Sequence, residues 1–120
     1  MKPDWEVIRK ILLKIEELPK AGSLNSKEFT NEITDSDTVA YNIVLLFDYG
    51  LIDGILKKGT SGSLWCDVAR LTSEGSQFLD AIKQDAVWAM IKERAKERNM
   101  ELSIQVITTM KITVDQILNG

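Results

Sequence analysis

With 120 residues, 44% of them hydrophobic and 28% charged, the chain is long enough for one domain with a packed core, and this composition excludes disorder as the default. Its formal net charge of −3 lacks the basic excess that is typical of proteins that coat nucleic acid nonspecifically. One cysteine and no histidine exclude an internal disulfide and a Cys-rich zinc site, and they remove the commonest general base.

The first predicted helix runs from about Asp4 to Leu18, and Pro19 stops it. Its apolar residues recur at helical spacing and form one stripe: Trp5, Ile8, Leu12 and Ile15. The helix therefore begins near a capping aspartate and packs one face on a core.

A second short helix is predicted from an entry signal at Asn25 and Glu28, which has the form of a capping box. Leu24 and Phe29 occupy the two positions of a hydrophobic staple around it. This helix ends near Thr34.

The third predicted helix begins at residue 34, 35 or 36, all of which are acceptable N-caps. We expect Gly50 to end it with a positive φ, and we expect Leu51 to pack back on Leu46, as in a Schellman motif. The turn between the second and third predicted helices is a few residues long, which is helix-turn-helix spacing.

Two strands are predicted next, Leu51–Lys57 and Leu64–Leu71, joined by a loop rich in Gly and Ser. Thr72 is then the predicted N-cap of a helix that has Glu74 in its first turn. A polar joint near residues 84–85 separates this helix from one that ends near Asn99.

The last segment, residues 102–118, alternates like a strand at its start but favours a helix, with Ser103 as its cap. Its apolar residues fall at intervals of three, four and three: Ile107, Met110, Val114 and Ile117. This seam is predicted to bind a second copy in a homodimer or, equally, to fold back over its own core.

Together these elements predict an α+β, mostly helical fold. The order of helices and hairpin is that of a winged helix-turn-helix, with three helices, a two-stranded wing and additional C-terminal helices. We expect residues 1–84 to form the winged-helix core and residues 85–120 a helical extension of the same domain.

The chain resembles a bacterial and phage-associated winged-helix family that is catalogued as a domain of unknown function. Two groups of residues carry the resemblance over most of the chain. The first group is Ile8-Arg9-Lys10-Ile11-Leu12-Leu13 with Glu16-Glu17, then Ala40-Tyr41, Leu45-Leu46 and Gly50-Leu51-Ile52. The second and more specific group is Leu71-Thr72 with Gly75, Phe78-Leu79-Asp80-Ala81, Asp85 and Trp88.

The chain departs from that family at Asn42 and Ser76, where members often carry His. Any role that those histidines serve in relatives is therefore not carried over. The resemblance implies the fold and no activity.

If the fold binds double-stranded DNA, the exposed start of the third predicted helix enters the major groove and the hairpin tip contacts phosphate. The predicted DNA contacts are then Ser36, Thr38, Tyr41 and Asn42 on the helix, with Lys57 and Lys58 on the wing. Asn in particular pairs well with adenine. The alternative is that the polar residues at the helix start only cap and solvate it.

Charge opposes DNA readout by this helix. Residues 28–56 contain six acidic residues and neither Lys nor Arg. Most DNA affinity comes from neutralising phosphates with those two cations.

No catalytic constellation is found, so we predict that the protein is not an enzyme and needs no cofactor or metal. Cys66 has no His to activate it and is interpreted as a structural thiol. The apolar run Ile43–Phe47 is too short to span a membrane, and the cysteine usage is typical of the cytoplasm.

The leading functional prediction is a non-enzymatic winged-helix module that binds DNA and regulates transcription. The alternative is a protein–protein interaction module of bacterial or phage origin, for dimerisation or as an adaptor, that does not bind DNA through its third helix. The acidic third helix favours the alternative, and the fold by itself favours neither.

Overall fold

The computed structural model describes residues 2–20, 22–26, 36–59 and 64–119. The chain divides into two compact units, residues 1–76 and residues 77–120. The fold is α+β and mostly helical, as predicted. Most of the second predicted helix and most of the predicted hairpin loop lie outside the described residues.

The elements follow each other in the order helix, strand, helix, two strands and three helices. Their bounds are α1 Trp5–Glu17, β1 Leu24–Asn25, α2 Ser36–Asp48, β2 Ile52–Lys58, β3 Leu64–Leu71, α3 Ser73–Ile82, α4 Asp85–Glu97 and α5 Ile104–Asn119. The third predicted helix is thus α2. Within the described ranges, no helix is both long enough and apolar enough to cross a membrane.

Helix α1 begins where the sequence predicts. The Asp4 carboxylate accepts hydrogen bonds from the backbone N–H groups of Glu6 at 3.1 Å and Val7 at 3.2 Å, which satisfies two donors of the first turn. The helix ends at Glu17, and the next residue, Leu18, has the extended backbone that a following proline favours. Its buried face is Trp5, Val7, Ile8, Ile11, Leu12 and Ile15.

Helix α2 ends in the predicted Schellman motif. Gly50 has a φ of +73°, and its N–H donates to the Phe47 carbonyl at 3.0 Å. The Leu51 N–H donates to the Leu46 carbonyl, also at 3.0 Å. These two bonds satisfy carbonyls at the helix end and turn the chain into β2.

The sheet has three antiparallel strands in the order β1-β3-β2, so the predicted two-stranded hairpin gains a strand. Leu24 pairs with Cys66, and Leu56 pairs with Cys66 from the other side. Leu24 and Cys66 are fully buried. Leu24 and Asn25, which were predicted only as entry to a helix, therefore also complete the sheet.

A tight corner joins this sheet to α3. The Thr72 hydroxyl donates to the Gly50 carbonyl at 2.6 Å and accepts from the Gly75 N–H at 3.0 Å. The Thr72 N–H donates to the Leu51 carbonyl at 3.0 Å. Thr72 is therefore the predicted N-cap, and it also ties the two ends of the hairpin together.

The second unit contains α4 and α5, which pack against each other. The Ser103 hydroxyl accepts from the Val106 N–H at 3.1 Å and caps α5, so the last segment is the predicted helix. Asn99 follows the end of α4 with a φ of +55°. The buried side chains of the two helices are Val87, Trp88, Ile91 and Ala95 on α4 and Ile107, Met110 and Val114 on α5.

Candidate functional site

Asn42 was predicted to read base edges from the exposed side of α2, and the structure corrects this. Its side chain is 0% exposed. The amide oxygen accepts from the Asp4 N–H at 3.0 Å, and the amide nitrogen donates to the Thr38 carbonyl at 2.8 Å. Asn42 thus ties α2 to the start of α1, because a buried amide needs its partners inside the protein.

Two of the other three predicted helix contacts lie near the surface. Thr38 and Tyr41 are half-buried, and the side chain of Ser36 lies outside the described part of the chain. Asp37 is exposed in the first turn of α2, where the helix dipole favours an anion. The accessible start of α2 therefore presents a carboxylate and no cation.

At the far end of α2, Asp48 and the following Tyr49 also offer no positive charge to DNA. The Tyr49 ring stacks on Trp5, with ring centroids 6.3 Å apart and planes 6° from parallel. Burial raises the pKa of Tyr49, and the neighbouring Tyr41 and Asp48 raise it further. These neighbours favour a neutral phenol, and they add no attraction for phosphate.

One of the two predicted hairpin lysines is already paired. The Lys57 ammonium lies 2.9 Å from the Asp67 carboxylate, which also accepts from the Ser23 hydroxyl at 2.8 Å. The Lys57 contact, with help from Ser23, holds the pKa of Asp67 below its usual range. Lys58 is exposed at the end of β2.

A second ion pair lies at the other end of β2. The Arg70 guanidinium is 2.7 Å from the Asp53 carboxylate, and this contact, with the Gly54 N–H, holds the pKa of Asp53 below its usual range. Between the two ion pairs lies Ile55, which is 54% exposed. The outward row of β2 is therefore acidic, apolar and basic in turn: Asp53, Ile55 and Lys57.

A β-bulge interrupts the hairpin beside that row. Two residues of β3, Val68 and Ala69, lie opposite Gly54 of β2. Val68 has a φ of +50°, which is a strained conformation for a β-branched residue. The extra residue lets the Ala69 N–H donate to the Gly22 carbonyl at 2.9 Å, so the bulge fastens the chain before β1 to the sheet.

Gly54 is required by the bulge. Its φ is +145°, and a Cβ there would lie 2.5 Å from the Cys66 sulfur and 2.8 Å from the Asp67 carbonyl oxygen. Burial raises the pKa of the Cys66 thiol, so little thiolate is available at neutral pH. The Cys66 sulfur occupies the space that a side chain at position 54 would need. This packing supports the interpretation of Cys66 as a structural group.

An open groove of about 640 Å³ lies between the end of α1 and the bulge. Its walls include Ile15, Leu18, Pro19, Val68, Arg70 and Ser76. Among the described residues, no group of three or more His, Cys, Asp or Glu side chains is placed to hold a metal ion.

The predicted dimer seam of the last helix is largely covered within the chain. Ile107, Met110 and Val114 are each at most 1% exposed, whereas Ile117 is 47% exposed. Three of the four side chains are therefore occupied by packing inside the chain. The sequence left folding back and dimerisation equally open, and a homodimer through this helix stays a prediction.

Sequence reasoning missed the outward row of β2. Its signal was present, because Asp53 and Lys57 each lie two residues from Ile55 and so share its face of a strand. For the bulge, Gly54 is the only signal in the sequence. The pairing of Val68 and Ala69 depends on residues outside β2, and no local pattern records it.

Comparison with known proteins agrees with the resemblance to a bacterial family of unknown function. The model of the family described as "Hypothetical protein (DUF2513)" matches residues 2–101. An uncharacterized protein of Haemophilus influenzae is 39% identical over 116 residues, which are 95% of this chain and 95% of that protein. No solved structure matches the chain at a significant level.

Proposed function

We propose that this chain, which belongs to the DUF2513 family, is a winged-helix binding module that acts through protein–protein contact and does not read DNA with α2. Element order supports the winged-helix arrangement. A short strand follows the first helix and pairs with the hairpin, and α2 immediately precedes that hairpin.

The observation that carries the proposal is the state of α2. Its best reader of base edges, Asn42, is buried with both ends of its amide bonded. The helix contains Asp37 and Asp48 and no Lys or Arg. A recognition helix whose best base reader is buried, and which carries neither Lys nor Arg, lacks the main sources of DNA affinity.

The distribution of charge supports the same proposal. Residues 1–76 contain nine Lys and Arg and twelve Asp and Glu, whereas residues 77–120 contain six of each. The whole net charge of −3 therefore belongs to the unit that carries α2 and the hairpin. Negative net charge slows association with DNA and is compatible with a protein partner.

The test is an anisotropy titration of the full chain against a pool of random-sequence DNA duplexes, repeated over a salt series. We expect no binding at low salt. Binding in the micromolar range that weakens steeply with added salt would overturn the proposal, because that slope measures released counterions.

DNA binding through the hairpin alone is a second candidate function, and the exposure of Lys58 at the end of β2 favours it. In that case Lys58→Glu abolishes the salt-dependent signal, and Asp37→Asn on α2 leaves it unchanged. The paired Lys57 contributes less, since its charge is already countered by Asp67.

A further inference from the structure

Strand β2 forms an edge of the sheet. The strand order β1-β3-β2 leaves its outer side without a neighbouring strand among the described residues. Its middle residues are apolar and accessible, with Ile55 54% and Leu56 37% exposed. An open edge of this kind is a template for pairing with another extended chain.

The charge pattern of this edge is complementary to itself. We propose that a second copy of this chain pairs with β2 in antiparallel fashion, with Ile55 opposite the partner's Ile55. That register places Asp53 opposite the partner's Lys57, and the two-fold symmetry repeats the same contact at the other end. The inference deepens the proposed function and rests on it, naming a second copy as the protein partner.

The ion pairs inside each copy extend this complementarity. Arg70 contacts Asp53 at 2.7 Å, and Lys57 contacts Asp67 at 2.9 Å, on the same face of the hairpin. In the proposed register the row across both sheets runs Arg70, Asp53, the partner's Lys57 and the partner's Asp67. Positive and negative groups alternate along it, which favours cross-strand pairing.

Shifted registers lose this match. Sliding the partner until Lys57 faces the partner's Lys57 places like charges opposite each other, and sliding the other way does the same with Asp53. Like charges directly opposite destabilise a strand pair. The pattern therefore selects one occupant and one register.

The first experiment measures the mass of the full chain by light scattering and sedimentation at concentrations up to on the order of 100 μM, where an interface with a Kd of about 10 μM is mostly associated. We expect a dimer. Ile55→Lys should raise the dimer Kd by about tenfold or more, because it places two cations at the two-fold axis. Ile112→Lys on α5, with a parent side chain 56% exposed, is the matched control and should leave the dimer intact.

The second experiment is a charge exchange. Asp53→Lys alone and Lys57→Asp alone each place like charges opposite one another and should be monomeric. An equimolar mixture of the two variants restores opposite charges at both contacts and should form a heterodimer. Lys58→Asp mixed with Asp53→Lys is the register control and should not associate, and far-UV circular dichroism confirms that each variant is folded.

A monomer at every concentration, or a dimer that Ile112→Lys or Ile117→Lys dissociates and Ile55→Lys does not, would overturn the second-copy inference. Failure of the mixed variants to associate would overturn the register. Each result is separate from the DNA titration. A monomer that binds no DNA leaves the proposed function standing with a different protein as partner, whereas salt-dependent DNA binding contradicts the proposed function itself.

Discussion

The two glycine-dependent joints of the β2–β3 hairpin are built differently. At its base, Thr72 donates to the carbonyls of Gly50 and Leu51 and accepts from the Gly75 N–H, with hydrogen bonds of 2.6 to 3.0 Å. Near the start of β2, Gly54 lies opposite a bulge of β3, in which Val68 has a φ of +50°. The base is an unstrained corner, and the bulge stores strain.

The difference shows what each joint contributes. The corner fixes the first turn of α3 to the end of β3, and its motif is local enough to be visible in the sequence. The bulge bends β3 so that Ala69 reaches Gly22, and it lies beside the exposed Ile55. Strain of this kind persists only where the surrounding structure imposes it, so the two joints should respond differently to substitution.

The largest effect is expected at Gly75. A Cβ there would overlap the Leu51 carbonyl oxygen and lie 2.8 Å from the Leu51 carbonyl carbon, so backbone must move. We expect Gly75→Ala to destabilise the fold by about 3 kcal/mol or more in urea unfolding. In an open helix the same substitution stabilises by about 1 kcal/mol, so the sign is diagnostic.

Gly50→Ala is the matched control for that prediction. A Cβ at Gly50 meets nothing within 4 Å, and only its φ of +73° opposes a side chain. The expected cost is about 1 kcal/mol. Equal costs at the two glycines would contradict the role given to the Leu51 contact.

At the bulge, Gly54→Ala should cost about 2 kcal/mol, because the new methyl meets the Cys66 sulfur at 2.5 Å and the backbone is strained. In a Cys66→Ala background the cost should fall by about 1 kcal/mol, since one of the crowding atoms is gone. A double-mutant cycle by chemical denaturation measures this coupling. A coupling of zero would show that backbone strain alone sets the cost.

Removing the strain itself should have a smaller effect of opposite sign. Val68→Gly is expected to stabilise the fold by about 0.5 kcal/mol, because Gly adopts a φ of +50° without strain. The strain that is relieved exceeds the additional conformational entropy that Gly loses on folding. Val68→Ala, which keeps a Cβ, should gain less. A loss of stability with both Gly and Ala would instead assign the packing of the Val68 side chain a larger role than its strain.

The smallest effect is expected from acid. The pKa values of Asp53 and Asp67 are lowered in the fold by Arg70 and Lys57 respectively. Their contribution is therefore fully present above the ordinary aspartate pKa of about 4 and is lost as the pH falls through the lowered values.

Thermal melts between neutral pH and pH 2 measure that loss. Asp53→Asn and Asp67→Asn should each flatten the acid limb of the melting temperature. High salt should flatten it too, because both pairs lie at the surface and are screened. If the acid limb is unchanged in the double variant, these ion pairs do not cause the loss of stability in acid.

Much of the fold follows from local sequence signals. The Asp4 cap, the Gly50 stop, the Thr72 cap and the Ser103 cap are each confirmed, because capping involves residues a few positions apart. The helical assignment of the last segment follows from its periodicity. Two-residue strand β1 carries no period, and its pairing with β3 was not predictable.

The candidate site was less predictable for the same reason. Asn42 has the chemistry of a base reader, but its nearest donor, the Asp4 N–H, is 38 residues away in sequence. Lys57 has the chemistry of a phosphate ligand, but Asp67 of the neighbouring strand pairs with it. A polar residue type indicates what a side chain can bind, and only the fold decides whether a partner inside the protein already occupies it.

Residue types at short separation specify the helix ends, the hairpin, the corner at Thr72 and the absence of cations on α2. Long-range packing sets the burial of Asn42, the burial of Ile107, Met110 and Val114, and the open edge that leaves Ile55 exposed. Those outcomes depend on contacts between segments far apart in the chain. Their energies are set by packing and pairing that no local pattern contains.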